Sequence, residues 1–138
     1  MTTLTGTIGE DNTTFKPDSI FDETTLPAAT TKTSDSFFIG GSQSGIELIL
    51  TADVAITVAT GESITVELIQ DADSDGDFDE ATETIYTMTA DGETIVAAGT
   101  LARYVPNADT KKYGKLKITT TEDLSAKTVS AVIEKVTR

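Results

Sequence analysis

The chain has 138 residues, 23 acids against 10 bases, a formal charge of −13, and neither cysteine nor histidine. That length suits one domain with a single two-layer core. The missing residue types exclude disulfides, thiolate metal sites and histidine-based triads, and the acidity argues against a nucleic-acid partner.

In chain order, MTTLTGTIGEDNTTF carries no basic start and no apolar core run, so a signal peptide is not expected. The longest apolar stretches fall far short of the roughly 20 residues a membrane helix needs, and a soluble protein is expected. Residues 1–34 are rich in Thr, Asp and Ala, with Pro17 and Pro27 and scattered apolar anchors. That texture seldom builds its own core. It predicts an extended or disordered N-terminal arm, anchored through Phe15, Ile20 and Phe21.

From residue 35 to 138 a β domain is expected. SFFIG (36–40) is a short apolar run closed by Gly40-Gly41, and GIELILT (45–51) sets Ile46, Leu48 and Leu50 against Glu47, Ile49 and Thr51. VAITVAT (54–60) is a short or irregular strand. GESITVELIQ (61–70) and ATETIYTMT (81–89) form the most legible hairpin, with Ile64, Val66 and Leu68 on one face. Asp91-Gly92 then signals a tight hairpin joining the Tyr86 strand to ETIVAA (93–98). LARYVP (101–106) follows, then YGKLKITTT (113–121) with Leu116 and Ile118 inward and Lys115 and Lys117 outward. KTVSAVIEKV (127–136) closes the chain, with Val129, Ala131 and Ile133 on one face and Val132 and Val136 on the other.

No amphipathic helix of ten residues or more is legible. Short strands at roughly ten-residue spacing, bounded by Gly, Asp and Asn, predict an all-β antiparallel sandwich or jelly roll of about seven or eight strands. A few-stranded barrel fits the same pattern. The chain holds 27 threonines, which suit pleated, half-exposed surfaces.

The loop DADSDGDFDE (71–80) is the main chemical question. Asp71, Asp73, Asp75 and Gly76 match the opening of an EF-hand calcium loop, with Asp77 at position seven and Asp79 at nine. Alternate carboxylates can converge on one hard cation, and glycine at position six permits the sharp turn. The twelfth position should be a bidentate Glu, yet Thr82 stands there, and both flanks read as strands. The loop is therefore not an EF-hand. Two readings stay open: a weak calcium site with a ligand supplied from elsewhere, or a solvated acidic tip. The second costs little, because exposed like charges repel by only about 1 kcal/mol at 4 Å in water.

Charge is unevenly spread. Residues 1–100 hold 19 acids and two bases, whereas residues 101–138 hold four acids and eight bases. Such polarity can orient one copy against another or against a surface; it also arises when C-terminal strands expose lysines as edge protection. No carboxylate pair stands in apolar surroundings that would raise a pKa, so no enzymatic activity is expected.

The order IELILTADVAI, ITVELIQDADSDGDFDE, IVAAGTLARYVP, TKKYGKLKITTT and TVSAVIE resembles the head-decoration, or capsid cement, proteins of tailed bacteriophages. The runs from Gly99 to Pro106 and from Lys112 to Leu116 carry most of the likeness, which covers roughly 90 residues and leaves out the first 44. The resemblance implies a jelly-roll fold and a homotrimer on the outer surface of an icosahedral head, made in the host cytoplasm. It implies the major capsid protein as partner, and no catalysis. On that reading Phe15, Ile20 and Phe21 of the arm, with Arg103, Lys111 and Lys112, are the expected contact residues. A calcium-dependent carbohydrate-binding or adhesion β-sandwich is the competing expectation; the absence of Trp counts against it.

Overall fold

The structure is a computed structural model and describes residues 18–40, 45–73, 78, 80–107 and 109–135. It is all-β, without a helix among those residues, and every strand pairing is antiparallel. The described residues form eleven strands: β1 (Asp18–Thr25), β2 (Thr31–Thr33), β3 (Phe37–Phe38), β4 (Ile46–Ala52), β5 (Ile56–Val58), β6 (Ser63–Asp71), β7 (Ala81–Thr89), β8 (Thr94–Val96), β9 (Gly99–Tyr104), β10 (Tyr113–Thr120) and β11 (Thr128–Lys135). One sheet has the order β9-β4-β11-β1; the other has β2-β10-β6-β7, with β3 also on β10; β5 and β8 form a separate two-stranded ribbon. The excess over seven or eight strands comes from three-residue or shorter pieces, β2, β3, β5 and β8.

Alternation decides which way each long strand faces. In β6 and β10 every second residue is buried, and their partners meet directly: Leu116 opposite Leu68, Ile118 opposite Val66, Thr120 opposite Ile64. The other sheet answers with Ile133 opposite Leu48, Ala131 opposite Leu50 and Val129 opposite Ala52. These inner faces form one apolar cluster, a sandwich-like arrangement. Lys115 and Lys117 point outward as their positions predict. So do the threonines of the same face, where the hydroxyls of Thr31 and Thr119 lie 3.2 Å apart and those of Thr65 and Thr87 lie 3.3 Å apart.

Two expectations change. Of residues 1–34, the described part belongs to the sheets: β1 lies along β11, and β2 along β10. Phe21 and Leu26 are buried at 6% and 2% exposure, because the inner faces of β11 and β4 need an apolar neighbour that the later strands do not supply. The Asp91-Gly92 hairpin also differs. β7 pairs with β6, whereas β8 pairs with β5, setting Ile56 opposite Val96. Reciprocal bonds from Ala90 N to Glu62 O (2.9 Å) and from Gly61 N to Ala90 O (2.7 Å) turn the chain out of the sheet before the reversal. A turn dipeptide specifies a change of direction, not the strand that receives it.

Gly114 sits inside β10 where a β-carbon would lie 2.8 Å from Leu68 Cδ1 and 2.9 Å from Ile39 Cδ1. Both neighbours are buried, so neither side chain can swing away. Gly114→Ala is therefore expected to cost about 1–3 kcal/mol by overpacking, read as a lowered denaturant midpoint with an unchanged slope.

Candidate functional site

The acidic loop is held by the hairpin beneath it. β6 and β7 pair from Ser63 opposite Thr89 to Gln70 opposite Ala81, with one irregularity between Val66 and Glu67 where β7 carries an extra residue. Two bonds close the base of the loop: Glu80 N donates to Gln70 O (3.2 Å), and Ala72 N donates to Glu80 Oε1 (3.2 Å). Gln70 is buried, and its Oε1 accepts from Lys111 N at 2.9 Å, tying the hairpin to the 105–112 loop. Phe78 lies across the outer face of the sheet, with the Lys115 ammonium 4.7 Å from its ring centroid.

Of the five aspartates predicted as calcium ligands, Asp71 and Asp73 are described; Asp75, Asp77 and Asp79 lie outside the described residues. Asp71 ends β6 opposite Tyr113 and is 1% exposed, whereas Asp73 is exposed. Among the described residues no three carboxylates come close enough together to hold a metal ion.

The predicted contact residues are dispersed. Phe15 lies outside the described residues. Ile20 packs partly buried against the core, and Phe21 is inside it, so this pair serves the chain's own sheet instead of a free surface. Arg103 leaves the outer face of β9 and pairs with Glu47 of β4 at 3.0 Å. Its side chain is 56% exposed, so the pair is worth little in water and leaves the guanidinium accessible. Lys111 and Lys112 stand together before β10. The Lys112 carbonyl accepts from Ile39 N (2.6 Å) and Gly40 N (3.1 Å), and this fixes the pair against β3.

Beside that anchorage stands Phe38, which the sequence reading did not single out. Phe38 is 61% exposed on the outer side of β3, and its ring meets Tyr113 edge-on at 5.3 Å and 66°. Lys111 and Lys112 directly precede Tyr113, so two lysines stand next to the aromatic pair along the chain. Val105, 48% exposed, extends from the 105–112 loop. The signal for Phe38 lay in SFFIG: adjacent strand residues face opposite ways, so burying Phe37 and Ile39 forces Phe38 outward.

The 105–112 loop is itself locked. The buried Tyr104 hydroxyl donates to Glu83 Oε1 across the two sheets (3.0 Å) and shares a hydrogen bond with Thr110 Oγ1 (2.7 Å). Asn107 N donates to Thr110 Oγ1 (2.9 Å) and Asp109 N to Asn107 Oδ1 (2.8 Å). Burial pushes the Tyr104 phenol above the usual 10.0, with Glu83 adding to the rise and Thr110 opposing it. Burial alone raises Tyr86.

No protein family, curated protein or solved structure matches this chain.

The tyrosines set an alkaline limit. A phenol whose folded-state pKa is raised contributes fully below its ordinary value, and that contribution is lost as pH climbs through the folded value. The melting temperature is expected to fall as pH rises from about 9 to about 11. Tyr104→Phe should flatten part of that fall while costing about 1 kcal/mol near neutrality from the lost bond. Melting curves across that range check both effects.

Proposed function

We propose that this chain is a structural virion protein of the jelly-roll class, a decoration or cement protein that seats as a homotrimer on the outer surface of a capsid head and stabilises the shell. Three points support the reading: the order of strand sequences that resembles such proteins, the two-sheet β body, and the separation of acidic and basic residues along the chain. The observation that carries it is the Phe38–Tyr113 ring contact on β3 and β10, with Phe38 exposed and Lys111 and Lys112 just before Tyr113, a set of residues suited to docking against an acidic, partly apolar partner. Interfaces favour such residues, with aromatics supplying contact area and cations supplying orientation.

The mechanism is mass action. A cement that binds only the mature arrangement of the major capsid protein stabilises that arrangement in proportion to its occupancy. Three copies of a modest patch, engaged together, give an avidity that one copy lacks. The body supplies rigidity, and no bond is made or broken. The competing reading, a calcium-dependent carbohydrate-binding or adhesion module, draws on the burial of Asp71 at the mouth of the acidic loop.

Light scattering on the purified protein is expected to give a trimer that is indifferent to chelator. The Lys111→Glu, Lys112→Glu double variant should remain folded and bind heads lacking the protein at least tenfold more weakly. Particle images should show its density on the head surface. A monomer whose melting temperature rises by several degrees in millimolar calcium would instead identify the binding module, and a particle with no such density on its head would refute the virion reading.

A further inference from the structure

Between β7 and β8 the chain passes through a short link in which Asp91, Gly92 and Glu93 are all exposed. Both sides of the link are held. Ala90 is 1% exposed and bonded to Glu62 O and Gly61 N, and Thr94 opens β8 opposite Val58. The link itself is open. A β-carbon on Gly92 would meet nothing within 4 Å, and its carbonyl accepts from Thr94 Oγ1 at 2.7 Å. Among the described residues no group accepts from the Gly92 N–H, and none donates to the Asp91 carboxylate.

An aspartate followed by glycine has a reaction available to it without any catalyst. The side-chain carboxyl carbon and the next amide nitrogen are the closing ends of a five-membered ring. Closure forms a bond from Gly92 N to Asp91 Cγ, and the amide proton and carboxyl hydroxyl leave as water. The product is a succinimide. Water then adds to one of its carbonyl carbons, and the ring C–N bond at that carbon breaks. Addition at Cγ returns aspartate. Addition at the main-chain carbonyl carbon leaves the chain running through Cβ and Cγ, an isoaspartyl link. A side chain on the second residue crowds the attacking nitrogen and restricts the backbone, and glycine imposes neither restraint. A ladder hydrogen bond would hold that nitrogen in place, but Gly92 belongs to no strand.

We infer that Asp91-Gly92 is a site of spontaneous covalent modification, converting to isoaspartate in the folded protein. The product lengthens the main chain by one carbon between Ala90 and Thr94, both of which the fold holds in place. The β5–β8 ribbon covers one end of the apolar layer, with Ile56 and Val58 turned inward at 0% exposure. β8 has only three residues, so an altered root loosens this cover more than it disturbs β6 or β10. Nothing in this chemistry depends on the virion reading, since it concerns one chain and needs no partner. Asp75-Gly76 is the same dipeptide and lies outside the described residues, so the assay must resolve the two sites.

The full-length protein is warmed at neutral pH in heavy-oxygen water, digested in ordinary water, and its peptides are resolved by mass spectrometry. Succinimide hydrolysis marks the peptide holding residue 91 with one heavy oxygen. Isoaspartate there also accepts a methyl group from S-adenosylmethionine when a protein-isoaspartate methyltransferase is supplied. The rate in the folded protein is expected to lie within severalfold of that in the free peptide of residues 88–95. Gly92→Ala, which the open space admits, should slow it by an order of magnitude and leave the melting temperature unchanged. A folded protein that stays unmodified at residue 91 while the peptide converts overturns the inference, and so does a rate unaffected by Gly92→Ala. Hydrogen exchange on the separated isoaspartyl form reads the effect on the ribbon. The amides of β5 and β8 should exchange severalfold faster, with those of β6 and β10 unchanged. Equal exchange in the two forms overturns the loosening of the ribbon.

Discussion

The fold depends on one apolar layer in which β6 and β10 face β4 and β11. Each sheet buries mainly one face, with Ile49 of β4 buried on the other as well, so neither can persist in water without its partner. Leu50, Leu68, Leu116 and Ile118 are all at 0% exposure, and they come from three strands, β4, β6 and β10, spread over half the chain. With few aromatics in the sequence, aliphatic side chains supply most of this layer, at roughly 25 cal/mol for each Å² removed from water. A misfit there propagates, which is why Gly114 is held to hydrogen between Leu68 and Ile39.

Closing such a layer leaves edges, and each edge is managed by a different device. β1 carries two bulges against β11; Glu23 stands at a positive φ of 43° in one of them and donates its N–H to Ser130 Oγ. Irregularities of this kind spoil an edge as a template for another chain. β2 and β3 are too short to recruit a strand. On the other side β7 and β9 approach each other, and the Tyr104–Glu83 bond joins them across the two sheets. The Lys32 ammonium, bonded to the Thr25 carbonyl and hydroxyl, does the same for β1 and β2. The result is a body whose sides are nearly closed and whose ends differ.

That difference organises the functional reading. The ribbon end buries Ile56 and Val58, and the connections around it are acidic, with Asp53, Glu62, Asp91, Glu93, Glu122 and Asp123 against Lys127. The other end gathers the acidic loop, the Lys111-Lys112 pair, the Phe38–Tyr113 contact and the start of β1. The connections converge there because β1 and β10 begin, and β6 and β11 end, at the same level of the sandwich. A surface built this way is chemically mixed above a paired β framework.

Much was legible in the sequence. Period-two alternation gave β4, β6, β10 and β11 with their inward residues, because burying one face of a strand fixes every second position whatever the partner. The outward lysines of β10 and the hairpin beneath the acidic loop follow from the same rule. The EF-hand mismatch at Thr82 was likewise local and visible. What only the tertiary structure decided was who meets whom. Nothing in DSIFDETT says that it will lie along a strand a hundred residues later, so Phe21 read as an exposed anchor although it is a core residue. Asp91-Gly92 signals a reversal but cannot reveal that Ile56 and Val58 need the cover that β8 supplies. Tyr104 reaching Glu83, and Phe38 meeting Tyr113, depend on which strands became neighbours. Facing is set by steric alternation along the chain; partnership is set by the global closure of two half-apolar surfaces, and that information is not local.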